Sequence, residues 1–263
     1  MIINKQTLSF KLQRGVTLVE LMVSMLVGVV LLSGVVAVYL GSKQSYGARG
    51  GMSALQENGR VAIKRLQKGV LGAGYRKNDG IEPIISNAGQ VTAASNLTVS
   101  SDNANSDTLT VSFMPYGTVF TEDCLGQSGT INGRIINNYF VQNGQLMCRG
   151  SGNSIAQPIA EAVDNMQILY GIDTDVPGDG FVDQYQDASQ INTAGSATWM
   201  KVVSVQVALL ISSVDNVKDV PPGVGNEDQF NLLGQNHAAP NDRLARRTFT
   251  TTIPLRNRMP LLQ

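Results

Sequence analysis

From Leu21 to Ser42 the chain carries no charged residue, and the stretch 21–40 consists almost wholly of Leu, Val, Met, Gly and Ala. Twenty residues at a rise of ~1.5 Å make about 30 Å, the hydrocarbon thickness of a bilayer. In that solvent every backbone group must bond inside its own segment, so the run is predicted to be helical. Beyond it the period changes. Over 43–71, Met52, Leu55, Ala62, Leu66 and Val70 recur at steps of three, four and seven, with Ile63 alongside, while Lys64, Arg65 and Lys68 fall off that stripe. This is the pattern of an amphipathic helix that lays one face on a sheet. Gly47, Gly50, Gly51 and Gly59 interrupt it, each at up to ~1 kcal/mol against Ala, and mark an expected kink or a melted stretch.

From Asn78 the texture turns to Gly, Asn, Ser and Thr with short apolar runs. Residues 86–107 read as a polar surface loop. Leu109, Val111 and Phe113 alternate in 108–113, a half-buried strand. Segment 138–148 reads as a hairpin, because Asn143-Gly144 suits a type I′ turn. A short helix over 159–164 is expected to feed a strand over 165–172. Residues 201–213 form the strongest strand, with Val203, Val205, Val207, Leu209 and Ile211 alternating, and Trp199 opens it as a core or rim aromatic. Residues 215–243, rich in Pro, Gly and Asn, read as a long loop. The last strand lies in 247–258, where Pro254 assigns it to an edge or a strand end. There is no internal repeat. The fold class is α+β: a long N-terminal helix and an antiparallel β-sheet head.

Composition narrows the function classes. The 263 residues hold 20 basic and 20 acidic side chains, one His and two Cys. Zero net charge on so few charges is not the profile of a nucleic-acid binder, which needs a basic excess or stripe, and no specific nucleic-acid partner is expected. One His and no CxxC argue against a His- or Cys-rich metal site. There is no P-loop, G-x-S-x-G or H-E-x-x-H, and no nucleophile–base set, so the chain does not read as an enzyme.

Residues 1–15 contain Lys5, Lys11 and Arg14 and no acid. Positive charge ahead of the apolar run places the N-terminus on the cytoplasmic side. A signal peptide would need a small-x-small cleavage site, which does not follow Leu40; a plain signal anchor remains open on composition. Glu20 stands at the start of the run, where a carboxylate costs on the order of 2–3 kcal/mol unless it is paired or reaches the headgroups.

K-L-Q-R-G-V-T-L-V-E-L-M-V-S-M-L (11–26) resembles the prepilin leader of type IV pilins and pseudopilins. The resemblance implies cleavage after Gly15 by a prepilin peptidase and N-methylation of the new first residue, Val16, where the family usually has Phe. Glu20 then falls at the fifth mature position, where the family has its glutamate, and takes the task of fixing register between packed helices. A-L-Q-E-N-G-R-V-A-I-K-R-L (54–66), G-A-G-Y (72–75), Y-G-I-D (170–173) and F-T-T-T-I-P-L-R-N-R (249–258) resemble PilW-type minor pilins. Loss of the leader removes Lys5, Lys11 and Arg14 from the 20 basic side chains and leaves 17 against 20 acidic.

Cys124 and Cys148 are expected to pair, since an extracytoplasmic head permits oxidation; the alternative is two free buried thiols. Asp173, Asp175, Asp179 and Asp183 surround Gly178 and Gly180, a candidate Ca²⁺ loop. Val176-Pro177 interrupt the D-x-D-x-D-G spacing, and the alternative is a plain Asp/Gly turn held by its own side chains. His237 reads as a solvated loop residue without a fixed partner. Arg243, Arg246 and Arg247 read as a solvated edge that discourages strand pairing.

The expected organisation is a cleaved leader (1–15), a transmembrane or filament-core helix (16–42), an amphipathic helix on the head (43–75) and an extracytoplasmic β-rich head (76–263). The resemblance implies a minor pilin, a priming or tip-complex subunit of a type IV pilus, in twitching motility, adhesion and DNA uptake. Its partners are the prepilin peptidase, other minor pilins, the major pilin and the inner membrane, before its passage into an extracellular filament. The alternatives are a J-type pseudopilin of type II secretion and a membrane-anchored, calcium-dependent adhesin.

Overall fold

The computed structural model describes residues 15–75, 106–115, 121–131, 133–153, 155–194, 196–214, 229–238, 240 and 242–258. The basic leader residues and most of the 86–107 segment lie outside them. By its internal contacts the chain divides into two units, Met1–Gly47 and Ala48–Gln263.

One helix, α1 (Leu18–Leu71), carries both the apolar run and the amphipathic stripe. Thr17 caps it: the Glu20 N–H donates to Thr17 Oγ1 at 3.2 Å, and the Leu21 N–H donates to the Thr17 carbonyl at 3.1 Å. Within the first unit the apolar side chains from Val16 to Leu40 are exposed. The two hydroxyls of this stretch are spent inside the helix, Ser24 on the Leu21 carbonyl and Ser33 on the Val30 carbonyl, which is how an apolar helix tolerates them.

The second unit starts with the stripe. Leu55, Ala62, Leu66 and Val70 are buried as the spacing predicts, and Gly59 with them, whereas Met52 is exposed. The helix is unbroken through these glycines, so no stretch is melted, and Gly59 has another reason to be glycine: a Cβ there would overlap the Phe249 ring. Gly69 likewise makes room for the Tyr139 hydroxyl. Side chains of the sheets thus come close against the helix backbone at these two positions. Gly69→Ala should cost about 1–3 kcal/mol by overpacking, read as a lower melting temperature, and Tyr139→Phe in the same chain should recover part of it.

The head holds two four-stranded antiparallel sheets. The first has the order β1-β2-β3-β4, with β1 (Leu109–Phe113), β2 (Ile135–Gln142), β3 (Gln145–Gly150) and β4 (Gln157–Glu161). Asn143 and Gly144 both have positive φ, 53° and 71°, as a type I′ turn between β2 and β3 requires. β1 is buried on both faces rather than one, Thr110 and Ser112 included; Asn138 donates to Thr110 Oγ1 at 2.7 Å and Arg134 to Ser112 Oγ at 3.0 Å.

The second sheet has the order β10-β7-β5-β6, with β5 (Val163–Ile172), β6 (Gln184–Gln186), β7 (Val202–Ser212) and β10 (Arg246–Pro254). The helix expected over 159–164 is absent: β4 ends at Glu161, Ala162 turns the chain at φ 57°, and β5 begins at Val163. Its Ala and Glu content favours helix locally, but pairing along β3 and β7 overrides that preference. The loop expected over 215–243 contains a hairpin, β8 (Gln229–Leu232) and β9 (Gln235–Ala238). Its Leu232 and Phe230 cover Ala208 and Leu210 of β7, so β7 is buried on both faces.

Between the sheets and α1 lies one apolar core built from Leu55, Leu66, Tyr139, Met166, Tyr170, Trp199 and, from β7, Val202, Val205, Val207, Leu209 and Ile211. Two short helices, α2 (Ala188–Ala194) and α3 (Ser196–Trp199), deliver Trp199 into it. Its ring meets Tyr170 edge to face at 4.9 Å, and its Nε1 donates to Asn192 Oδ1 at 2.9 Å.

Candidate functional site

Three groups of residues singled out in the sequence fall in distinct places. At the N-terminus, Gly15 and Val16 precede the helix, and Glu20 occupies its first turn. The pattern Thr17-x-x-Glu20 ahead of an apolar run is a helix-start signature, and it identifies Thr17 as a member of this site. The carboxylate lies at the end of the helix where unbonded N–H groups concentrate positive potential. α1 contains a stretch long and apolar enough to cross a membrane. The arrangement is a single acid at the start of an otherwise uncharged apolar stretch, residues 18–42.

In the head, Cys124 and Cys148, 24 positions apart in sequence, form a disulfide with Cα atoms 6.5 Å apart. It ties the 121–131 segment to β3, the second strand of the hairpin. Asp123, beside it, holds the same segment: one carboxylate oxygen accepts the N–H groups of Leu125 and Gln127 and the other that of Gly152, at 2.9–3.0 Å. Gly150 and Gly152 leave the space this buried carboxylate occupies. A cleft of about 780 Å³ opens between this segment, β2 and α1, with Arg65, Lys68, Glu122 and Tyr139 among its lining. Burial pushes the Tyr139 phenol far above its usual range.

The acidic loop leads from β5 to β6. Carboxylate oxygens of Asp173, Asp175 and Asp183 come within 4.8 Å of one another, and Asp179 does not join them. Asp179 instead accepts the Phe181 N–H at 2.9 Å. Asp173, buried, accepts the N–H groups of Gly180 at 2.7 Å and Asp175 at 3.2 Å. Asp183 accepts from both the N–H and the hydroxyl of Thr174, and these bonds lower its carboxyl from the usual range. The Asp183 charge, foremost, raises the neighbouring Asp175 carboxyl, with desolvation, Asp179 and Asp173 adding to it. Such a cluster, if it took a divalent cation, would hold it through Asp173, Asp175 and Asp183.

Two readings of the sequence are corrected. His237 is not a free loop residue: in β9 its Nδ1 lies 3.3 Å from Asn165 Nδ2, and Asn165 Oδ1 accepts from Gln167. Arg246 is not a solvated guard of the sheet edge. Its side chain is buried, with Nε at 2.5 Å from Asp164 and Nη1 and Nη2 each at 2.7 Å from the two oxygens of Asp242. Asp242 foremost, and Asp164, hold this guanidinium in its charged form beyond its ordinary range.

The chain is similar to two family models. That of type IV pilus-assembly protein W matches residues 136–257, and that of the prokaryotic N-terminal methylation motif matches residues 10–36. Among solved structures, a type IV-like pilin from Thermus thermophilus is 15% identical, aligned over 78% of this chain and 98% of that one with a TM-score of 0.48. Among curated proteins none matches.

Proposed function

We propose, from the match of residues 136–257 to the model of type IV pilus-assembly protein W and of residues 10–36 to that of the N-terminal methylation motif, that this chain is a type IV pilin-like protein of the PilW type and primes the assembly of a type IV pilus as a minor pilin in the tip complex. Twitching motility, adhesion and DNA uptake are the activities such a filament serves. In this reading the prepilin peptidase cuts after Gly15 and Val16 is methylated. The apolar helix first rests in the inner membrane with the head outside the cytoplasm. It then passes into a bundle of like helices, and because lipid and bundle are both apolar the transfer is nearly neutral for its Leu and Val side chains.

The observation that carries the reading is the helix surface itself: apolar side chains from Val16 to Leu40 stand exposed, with one carboxylate in the capped first turn. A neighbour's amine beside Glu20 offsets two desolvation costs and sets axial register. Glu20→Ala should therefore leave membrane insertion and Gly15 cleavage intact and weaken co-assembly with other pilins by roughly a hundredfold, the equivalent of about 3 kcal/mol for an orphaned buried charge. Normal incorporation of that variant, quantified in sheared filaments, would sink the register role. The match over 136–257 to a pilus-assembly model favours this reading over a type II secretion pseudopilin.

We also propose that the loop of Asp173, Asp175 and Asp183 takes Ca²⁺, which would relieve the repulsion that raises the Asp175 carboxyl. Calcium at about a hundred times its dissociation constant should add roughly 2.7 kcal/mol to stability. The gain should shrink as pH falls and protons compete for Asp175. An unchanged melt with and without chelator at neutral pH counts against the site.

A further inference from the structure

α1 starts at Leu18, so the bond between Gly15 and Val16 stands just outside it. One side chain ends the helix there. Had the helical ladder run on by two residues, the Val19 N–H would donate to the Gly15 carbonyl and the Glu20 N–H to the Val16 carbonyl. Instead the Glu20 N–H donates to Thr17 Oγ1 at 3.2 Å, and the first backbone bond of the helix runs from the Leu21 N–H to the Thr17 carbonyl at 3.1 Å. Among the described residues no backbone N–H donates to the Gly15 or the Val16 carbonyl.

Packing does not impose this stop. Gly15, Val16 and Thr17 are exposed, and a Cβ at Gly15 would meet no atom within 4 Å. The hydroxyls further along act differently. Ser24 and Ser33 donate back to carbonyls of their own helix, at Leu21 and Val30, whereas Thr17 takes up a backbone N–H. Apolar surroundings raise the worth of that bond, because an N–H without a partner has no water to turn to.

The amide between Gly15 and Val16 is the one that the prepilin peptidase cuts in the reading above. Hydrolysis adds water across it: the water oxygen bonds to the Gly15 carbonyl carbon, the C–N bond breaks, and a Gly15 carboxylate and a Val16 amine result. Attack needs the carbonyl oxygen free to meet the donors that will hold its developing charge. Inside a helix the Val19 N–H would hold that oxygen.

We propose that Thr17 is the positioning residue for this cleavage: its hydroxyl ends α1 one residue past the scissile bond and keeps the Gly15 carbonyl out of the helical ladder. The inference rests on the reading of this chain as a prepilin. Thr17 acts through the backbone and touches none of the reacting atoms. Glu20→Ala keeps the N–H that Thr17 holds, in agreement with the cleavage expected of that variant.

The test follows full-length precursor in membrane vesicles with prepilin peptidase, by mass spectrometry of the N-terminus. Thr17→Val keeps the shape of threonine and loses the acceptor, so the Val19 and Glu20 N–H groups take the Gly15 and Val16 carbonyls. Cleavage after Gly15 should fall about fivefold in kcat/KM, the equivalent of the ~1 kcal/mol that a lost cap costs. The loss should sit in KM with kcat unchanged, since only precursor outside the helical form can bind. Thr17→Asn changes the shape but caps at least as well, and should be cut at the wild-type rate. An impaired asparagine variant, or a valine variant cut as fast as the wild type, overturns the proposal. Carbonyl chemical shifts of Gly15 and Val16 check the cause: they should move to helical values in the valine variant alone. Unmoved shifts overturn the proposal even where cleavage slows. A wild-type precursor that is not cut after Gly15 rejects the prepilin reading itself, whereas one that is cut, with variants ranked otherwise, rejects only the role of Thr17.

Discussion

Arg246→Ala should lower the stability of the head by about 3 kcal/mol, the low end for breaking a buried ion pair, or roughly 6–12 °C in melting temperature for a unit of this size. The guanidinium side chain is 3% exposed, and its two carboxylate partners, Asp164 and Asp242, are 19% and 32% exposed. Removal of the cation leaves two like charges side by side, with Asp164 also holding the Ser212 hydroxyl at 3.0 Å. Because both acids reach some water, the cost stays near the low end. Arg246→Lys should lose less than alanine but more than half of the effect, since an ammonium cannot bond Asp242 through two parallel N–H groups while also reaching Asp164. Trp199 is the sole tryptophan and is fully buried, so its fluorescence reports the head directly. A variant that melts with the wild type would show that the triad contributes no net stability.

Loss of the Cys124–Cys148 bridge should cost about 3 kcal/mol, because its 24-residue separation constrains the unfolded chain by that much in the loop-entropy account. The Cys124→Ala/Cys148→Ala double variant, or reduction of the wild type, should therefore melt roughly 6–12 °C lower. The shape of the 121–131 segment should survive, since Asp123 bonds three of its neighbouring N–H groups independently of the sulfurs. Unfolding that is insensitive to reductant would mean that the bridge constrains nothing the fold does not already hold. Paired with Asp123→Ala, which empties a buried acceptor of three donors, the loss should exceed the sum of the two, because both anchor one segment.

Much of the fold was legible because it is written in local periodicity. The stripe through Leu55, Ala62, Leu66 and Val70 needs only 3.6-residue spacing, and the Asn143-Gly144 turn needs only two residues that accept positive φ. The N-terminal site is equally local, since Gly15, Val16, the capping Thr17 and Glu20 lie within six positions. Segment 159–164 reads as helix for the same reason: its helix-favouring composition is a local preference, and the strands there are imposed by pairing with β3 and β7. The hairpin of residues 229–238 escaped notice because polar strands that cover only Ala208 and Leu210 carry little alternation of their own.

The sequence by itself determined an apolar helix with an acid at its start, an amphipathic continuation, a β-rich head and two cysteines suited to a bridge. These are properties of residues near one another along the chain. Only the tertiary structure decided what the polar and small residues are for. Gly59 and Gly69 are spaces for aromatic rings from β10 and β2, His237 has a partner 72 positions away, and Arg246 reaches Asp164 across 82. A side chain's charge is known from its identity, but whether it guards an edge or fills an ion pair depends on which distant strand arrives beside it.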